Sequence, residues 1–299
     1  MMKIKSWIKA FRLRTLPLAL SSILMGSFLA VASNNYSSTI IILSLITTLF
    51  LQILSNLAND YGDGMKGTDN ENRLGPTRTI QSGEISPAAM RLGIVVFVII
   101  SLVSGIWLIY EALGSDWWLG IIFLSLGLAS IAAALKYTMG KKSYGYSGFG
   151  DLFVFIFFGI VAVLGTYFLN TLIIDYKIIL PAISMGMLST AVLNLNNMRD
   201  LKNDLTAGKT TLASVMGREK SKIYHNSLII LAMISSISYT IITYTSIFNL
   251  IYLIVIPLFI IDLIKINKIS NEQLLDPYLK ATALKTLLFT ILFGLGLII

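Results

Sequence analysis

Asparagine and aspartate recur in one pattern at the ends of two long apolar runs. The members of the first group are Asn56, Asn59, Asp60 and Asp63, with Asp69 beyond them, and those of the second are Asn196, Asn197, Asp200 and Asp204. Asn56 and Asp60 recur 140 positions later as Asn196 and Asp200. Acidic side chains beside a bilayer are costly and mostly functional. The repeated pattern therefore indicates a site rather than two unrelated helix ends.

The chemistry of such a site follows from its oxygen donors. Residues three or four positions apart share a helix face, so each group presents its acids and amides together. Magnesium takes oxygen ligands, usually one or two carboxylates with substrate phosphate oxygens. Two groups facing each other therefore predict a magnesium site that clamps a diphosphate. The alternative is that the acids are solvated residues at helix ends with basic partners in the loops. This alternative explains one such group more easily than two groups with the same spacing.

Basic and amide side chains near these acids are candidates for substrate contacts. Guanidinium groups bind phosphate bidentately and ammonium groups bind it as point charges. The candidates for substrate binding are Arg14, Asn56, Asn59, Arg78, Lys141, Asp151, Asn196, Arg199 and Lys209. Two of them have simple alternatives: Arg14 as a marker of membrane topology, and Asp151 as a charge that stabilises a helix N-terminus. The single histidine, His225, is expected in a solvated polar connection.

The composition is that of an integral membrane protein. The chain of 299 residues is 56% hydrophobic and 13% charged, with a mean hydropathy of +0.79, whereas soluble domains carry about 25% charged residues. It contains no cysteine, which excludes disulfides and thiolate chemistry. The net charge of +8 is explained by membrane topology, so we expect a lipid bilayer as partner and no nucleic acid.

Nine apolar runs are long enough to cross a bilayer as helices. They cover about 16–33, 39–58, 91–111, 117–136, 152–170, 177–198, 226–244, 247–264 and 281–299. None alternates with the period of two that a membrane β-barrel requires. The predicted fold class is therefore all-α, a polytopic membrane protein with nine transmembrane helices.

The distribution of lysine and arginine predicts the orientation. Of the 23 such residues, all but Lys177 and Lys285 fall on one side of the membrane when nine helices are assumed. The positive-inside rule then places the N-terminus and both acidic motifs in the cytoplasm. The stretch ending at Ala30–Ala32 also resembles a signal peptide, and we expect it to be retained. The second and sixth helices run in the same direction, which favours a single domain over 1–299 with a parallel repeat of helices 1–4 and 5–8 plus a ninth helix.

The two motifs resemble those of the UbiA superfamily of intramembrane aromatic prenyltransferases. They read Asn59-Asp60-Tyr61-Gly62-Asp63 and Asp200-Leu201-Lys202-Asn203-Asp204, and the third acid of the first motif, Asp69, stands two positions later than in the family pattern. Further segments are similar to the branch that prenylates 1,4-dihydroxy-2-naphthoate in menaquinone biosynthesis. They are residues 12–18, 56–63, 66–69, 75–78, 137–140, 145–146, 148–151, 157–159, 196–200 and 208–209. The similarity ends near residue 217.

The resemblance implies a helical bundle around a central cavity that opens sideways to lipid. It implies a bacterial inner-membrane transferase that joins a polyprenyl diphosphate to 1,4-dihydroxy-2-naphthoate, with loss of diphosphate and carbon dioxide, giving demethylmenaquinol. The implied magnesium ligands are Asp60, Asp63, Asp69, Asp200 and Asp204. Tyr137 is expected to stabilise the allylic cation or to orient the ring. Alternatives are another aromatic acceptor, 4-hydroxybenzoate or homogentisate, and a cation-coupled transporter.

Overall fold

The computed structural model describes residues 4–299, which fold almost entirely into helices. The α-helices are α1 (Ile4–Phe11), α2 (Leu16–Ala32), α3 (Ser38–Met65), α4 (Pro87–Leu113), α5 (Trp117–Lys136), α6 (Gly150–Val154), α7 (Gly165–Thr171), α8 (Ile179–Arg199), α9 (Leu201–Thr206), α10 (Leu212–Ile242), α11 (Ile256–Lys268) and α12 (Asp276–Ile298). A π-helical segment, Phe155–Leu164, joins α6 to α7. Short 3₁₀ turns connect several of the others.

Across the described residues, nine helical stretches are long and apolar enough to cross a membrane. Each contains or overlaps one of the nine predicted runs, so the all-α membrane fold is confirmed. α4 and α5 are the least buried of the nine stretches, with 22% and 11% of their most apolar segments buried, as expected for helices that face lipid. The predicted repeat of helices 1–4 and 5–8 stays a prediction.

The prediction for His225 is wrong. α10 begins at Leu212, well before the apolar run that starts at residue 226, and His225 lies inside this helix with 1% of its surface exposed. A capping box between Thr211 and Ser214 starts the helix, and Gly217, with φ of 74°, kinks it. Hydropathy missed this part because its outer face is charged, while its inner face packs against the protein.

Local sequence explains how the first helices begin and end. Arg12 has left-handed backbone angles, with φ of 52°, and separates α1 from α2. Pro17 then sits in the first turn of α2, where a missing N–H costs nothing. Ser37 and Ser86 accept hydrogen bonds from backbone N–H groups at the starts of α3 and α4, as N-caps do. The break at Arg12 turns its side chain toward α3.

The buried apolar side chains form two main clusters. One cluster joins α1, α3, α4 and α5 through residues such as Leu54, Leu57 and Met90. The other joins α2, α8, α10 and α12 through residues such as Met185 and Phe289. A cavity of about 420 Å³ lies within the bundle, and its walls come mainly from α2, α3, α5, α8 and the π-helical segment. The packing of these helices fixes its shape.

The π-helical segment forms part of the cavity wall and packs unusually closely against α8. A Cβ atom added at Gly159 would lie 2.6 Å from the carbonyl oxygen of Ala182 and 2.7 Å from the Cα of Gly186. The two glycines therefore allow the backbones to touch. π-helical turns are rare and are often found at functional sites. Here the wide turns place Phe157 and Phe158 on the cavity surface.

Candidate active site

One end of the cavity is polar and collects most of the residues singled out from the sequence. Those that line it are Arg14, Asn56, Asn59, Asp63, Asp69, Arg78, Tyr137, Asn196, Asp200, Asp204 and Lys209. The remaining candidates, Asp60, Lys141, Asp151 and Arg199, lie off the cavity wall. The two acidic motifs therefore meet at one site, as the sequence predicts, although not every acid faces it.

The last turns of α3 carry Asp60 and Asp63 in different surroundings. Asp60 is 1% exposed; its carboxylate is held by the Arg12 guanidinium and accepts a hydrogen bond of 3.0 Å from the Thr79 hydroxyl. Arg78 lies 3.6 Å from it. Asp63 faces the cavity and accepts a hydrogen bond of 2.7 Å from the Tyr146 hydroxyl. Asp63 is the more accessible of the two.

A tight turn after α3 brings Asp69 to the site despite its displaced position. Gly67 has φ of 73°, a left-handed conformation that glycine adopts without strain. The chain then folds back, so that the Thr68 N–H donates to the Asp63 carbonyl at 3.0 Å. The Asp69 carboxylate lines the cavity, with one oxygen 3.0 Å from Arg73. The other oxygen, Oδ2, is buried without a hydrogen-bond partner among residues 4–299.

The second motif is organised by a buried arginine at the end of α8. Arg199, with 0% of its surface exposed, donates to Asp200 from Nε at 3.0 Å and from Nη2 at 2.6 Å. Nη2 also donates to the Asn196 side chain at 2.9 Å. This bidentate pair fixes the Asp200 carboxylate toward the cavity. Arg199 itself lies behind the wall, so the structure does not bring it to the place predicted for a direct phosphate contact.

Three contacts join the two motifs across the polar end. Arg73 lies between Asp69 and Asp200, 3.0 Å from the first and 3.5 Å from the second. The Asn203 amide donates to the Thr68 carbonyl at 2.8 Å. The Lys209 ammonium lies 3.4 Å from Asp63. Residues distant in sequence thus hold the acids of both motifs around one space.

Burial and neighbouring charges give these groups different proton affinities. Burial raises the pKa of Asp204 to about 7, although Lys209 opposes the shift. Burial also raises the pKa of Asp69, which Arg73 partly offsets. For Asp200, burial is outweighed by Arg199 and Arg73, and its pKa is lowered. Burial alone would lower the pKa of Lys209, but Asp63 and Asp204 raise it, so Lys209 stays charged.

The donor set fits a hard divalent cation with a phosphate partner. Asp63, Asp69, Asp200 and Asp204 line the cavity with oxygen ligands alone, the type that magnesium prefers. Among the described residues, the Oδ2 atom of Asp69 accepts no hydrogen bond, and burial raises the pKa of Asp204. In both cases the protein's own donors and positive charges do not fully offset the cost of burying the carboxylate. Within residues 4–299, no three acidic or histidine side chains are close enough to hold a metal by themselves. Phosphate oxygens would complete a coordination shell of magnesium.

An aromatic row leads from the acids toward the apolar part of the cavity. The rings of Tyr137 and Tyr144 meet edge to face at 5.3 Å, and Tyr144 stacks on Phe153 at 4.0 Å. Phe157 continues the row, with its ring centre 6.1 Å from that of Phe153. Burial raises the pKa of Tyr137 to about 12, so its hydroxyl keeps its proton. The row gives the cavity an aromatic wall beside the charged end.

Two predicted substrate contacts lie elsewhere. Lys141 is exposed and lines a separate surface pocket with Lys66 and Lys142. Asp151 is buried near the start of α6, where its backbone carbonyl lies 3.5 Å from the Thr190 hydroxyl. Within the part of the chain that the structure describes, its Oδ1 atom has no hydrogen-bond partner. Neither residue lines the cavity. Their positions therefore do not support a direct role in binding the diphosphate.

Several residues of the polar end were not assigned a site role from the sequence. Arg73 stood out only as a positive charge on the expected cytoplasmic side. Arg12 was interpreted first as such a charge and second as a substrate contact, and Asp276 was not considered. The spacing of Asp69 and Arg73, four positions apart, is a signal for a local ion pair. For Arg12 and Asp276 the sequence offers no comparable signal, because their partners come from distant helices.

Comparisons with known proteins agree with this architecture. The profile described as the UbiA prenyltransferase family matches residues 19–294, so the expectation that the similarity ends near residue 217 is wrong. The 1,4-dihydroxy-2-naphthoate octaprenyltransferase of Haemophilus influenzae is 43% identical, with 99% of this chain and 97% of the relative covered. The Escherichia coli protein of the same name is 36% identical, with 98% and 95% covered.

Solved structures show the same fold. A UbiA homologue from Archaeoglobus fulgidus bound to DMAPP and Mg²⁺ superposes with a TM-score of 0.56 at 17% identity, covering 96% of this chain and 98% of the homologue. The fold thus defines a class, that of polytopic all-α membrane proteins built around a cavity. Within that class, the chain belongs to the UbiA prenyltransferase family.

Proposed function

We propose that this protein transfers a polyprenyl group from polyprenyl diphosphate to 1,4-dihydroxy-2-naphthoate, giving demethylmenaquinol, carbon dioxide and diphosphate. Relatives that match nearly the whole chain carry that activity in their names. The observation that carries the proposal is the cavity itself, which joins a charged end of acids and bases to a long apolar wall. Such a cavity suits a substrate with a diphosphate head and an isoprenoid tail.

The polar end binds the head of this substrate. Asp63, Asp69, Asp200 and Asp204 are the proposed holders of magnesium, with Asp60 supporting them from behind the wall. Magnesium, when bound, neutralises charge on the diphosphate and so makes it a better leaving group. Asn56, Asn59 and Asn196 offer amides at the same end.

Basic side chains of the protein add to the stabilisation of the leaving diphosphate. Lys209 is buried, charged and on the cavity surface, and Arg78 and Arg14 reach the same space. Fixed positive groups in a site with little water stabilise developing negative charge much better than solvent does. The C–O bond to the diphosphate breaks as this charge develops, and an allylic cation is left.

The apolar walls and the aromatic row protect and guide that cation. Side chains of α5, the π-helical segment and α8 surround the cavity and exclude water, which would otherwise quench it. The ring of Tyr137 lies between the acids and the apolar part, where its π face can stabilise a cation. The electron-rich ring of the naphthoate attacks the cation, a C–C bond forms, and the carboxyl group leaves as carbon dioxide.

The proposed location is the cytoplasmic membrane of a bacterium, with the N-terminus and the polar end of the cavity on the cytoplasmic side. The basic loops that surround the polar end support this orientation by the positive-inside rule. Cysteine accessibility provides a direct test, because the chain contains none. A single cysteine in place of exposed Lys142 is expected to react with an impermeant reagent from the cytoplasmic side only.

The activity is tested by supplying purified protein with polyprenyl diphosphate, magnesium and one of three acceptors. We expect product and released carbon dioxide with 1,4-dihydroxy-2-naphthoate, and much less product with 4-hydroxybenzoate or homogentisate. Asp204→Asn, which keeps the side-chain volume, should lose most of this activity. Product with only one of the other acceptors, or cation transport without any product, would overturn the proposal.

A further inference from the structure

Asp276 is a half-buried acid outside both motifs that contacts two arginines of the polar end. It is the first residue of α12. Further along the same helix, Leu279, Lys280 and Ala283 line the cavity. The Nη1 atom of Arg199 donates to its carboxylate. Arg14, which lines the cavity, lies 3.6 Å from the other carboxylate oxygen. The last helix therefore contributes a charge to a site whose recognised motifs lie on α3 and α8.

The hydrogen bonds of the Arg199 guanidinium hold it in one position. Its Nε and Nη2 atoms bind Asp200, Nη2 also binds Asn196, and Nη1 binds Asp276. With 0% of its surface exposed, it cannot exchange these partners for water. A buried charge that loses a partner is strongly destabilised, so the two carboxylates together determine where the guanidinium sits.

We infer that Asp276 is a positioning residue: it holds Arg199 so that the Asp200 carboxylate faces the cavity, and it restrains Arg14 at the cavity surface. This inference rests on the proposed function. Without the Asp276 charge, Arg199 would be neutralised by Asp200 alone and would bind it more tightly. Asp200 would then be less available to a cation, and Arg14 would lose its nearest acid.

The competing explanation is that Asp276 only stabilises the N-terminus of α12, as acids in a first helical turn do. That role predicts a loss of stability without a specific change at the site. The two explanations therefore differ in metal binding, which is measurable without turnover. The magnitude expected for a group that orients a metal ligand is about 10–100-fold in metal affinity or activity.

The experiment compares Asp276→Ala, Asp276→Asn and the control Glu272→Gln. Glu272 lies four positions earlier, and its ion pairs among the described residues are with Lys202 at 3.6 Å and Arg218 at 3.3 Å, away from the cavity. Purified protein is mixed with a non-cleavable prenyl thiolodiphosphate, and free Mn²⁺ is measured by electron paramagnetic resonance. Thermal unfolding of each variant is recorded in the same detergent.

We expect the Mn²⁺ dissociation constant to rise at least tenfold in Asp276→Ala, to rise less in Asp276→Asn, which keeps an acceptor oxygen, and to stay unchanged in Glu272→Gln. Lower thermal stability with unchanged Mn²⁺ binding would overturn the inference. If Asp276→Ala does not fold, the amide variant decides by the same comparison. Wild-type turnover with 1,4-dihydroxy-2-naphthoate is assayed in parallel, so failure of the proposed function appears as an inactive wild type.

Discussion

The ammonium group of Lys209 lies 3.4 Å from the carboxylate of Asp63, although 146 positions separate the two residues. Lys209 follows α9 and Asp63 lies in the last turn of α3, so the contact ties the segment after the second motif to the first motif. Tyr146 lies beside both, since its hydroxyl donates to Asp63 and its ring centre is 5.2 Å from the Lys209 ammonium. This pair shows that the two acidic motifs share one space.

Replacing Lys209 is expected to impair turnover more than folding. Lys209→Met roughly keeps the side-chain length and removes the positive charge on the cavity surface. We expect kcat to fall about 100-fold, which is the scale of losing one fixed group that stabilises developing charge. Steady-state kinetics with the prenyl diphosphate measure the effect. Lys142→Met, in an exposed loop position, is the matched control and should behave as wild type.

Arg73 should be needed for the arrangement of both motifs. Arg73→Gln removes its ion pairs with Asp69 and Asp200 and leaves two buried carboxylates short of a partner, a defect of about 3 kcal/mol or more. We expect a lower unfolding temperature and at least tenfold less activity. Lys202→Gln, in which a side chain with 79% exposure is changed, provides the comparison. Equal effects of the two variants would contradict a bridging role for Arg73.

Cation binding in the absence of substrate should depend on pH through Asp204. Burial raises its pKa to about 7, so below that pH a cation must displace a proton, whereas above it the carboxylate is already charged. We expect Mn²⁺ affinity to fall up to tenfold per pH unit below 7 and to level off above it. Titrations between pH 5.5 and 8.5 measure this. Asp204→Asn should bind weakly and lose this pH dependence.

Close packing at Gly159 should be required for the cavity wall. Gly159→Val adds side-chain atoms where a Cβ already lies 2.6 Å from the Ala182 carbonyl oxygen; overpacking of this kind costs about 1–3 kcal/mol. A lower unfolding temperature in detergent is the expected result. Gly120→Val, where the nearest atom to an added Cβ is 3.9 Å away, should be tolerated. Similar losses for both would indicate that β-branching alone causes the effect.

The sequence predicted which side chains helix periodicity brings together and, from the repeated pattern, that the two motifs meet. It missed the ion pairs that residues outside the motifs form with distant helices. Asn56, Asn59 and Asp63 all line the cavity because they lie three and four positions apart in one helix. Asp60, by contrast, is turned toward Arg12 and Arg78 behind the wall. Asp69 stands two positions later than the third acid of the family motif, so its spacing did not predict a place at the site. A left-handed turn at Gly67 returns it to the cavity. No spacing rule connects Asp276 with Arg199.

The polar end is nearly balanced in charge without any ligand. Its acids Asp60, Asp63, Asp69 and Asp200 are each paired with a basic group from Arg12, Arg73, Arg78, Arg199 and Lys209. A cation that binds the acids frees basic groups for an anion, and an anion that binds the bases frees the acids. The two ligands are thus thermodynamically linked, and each must raise the affinity of the other by the same factor.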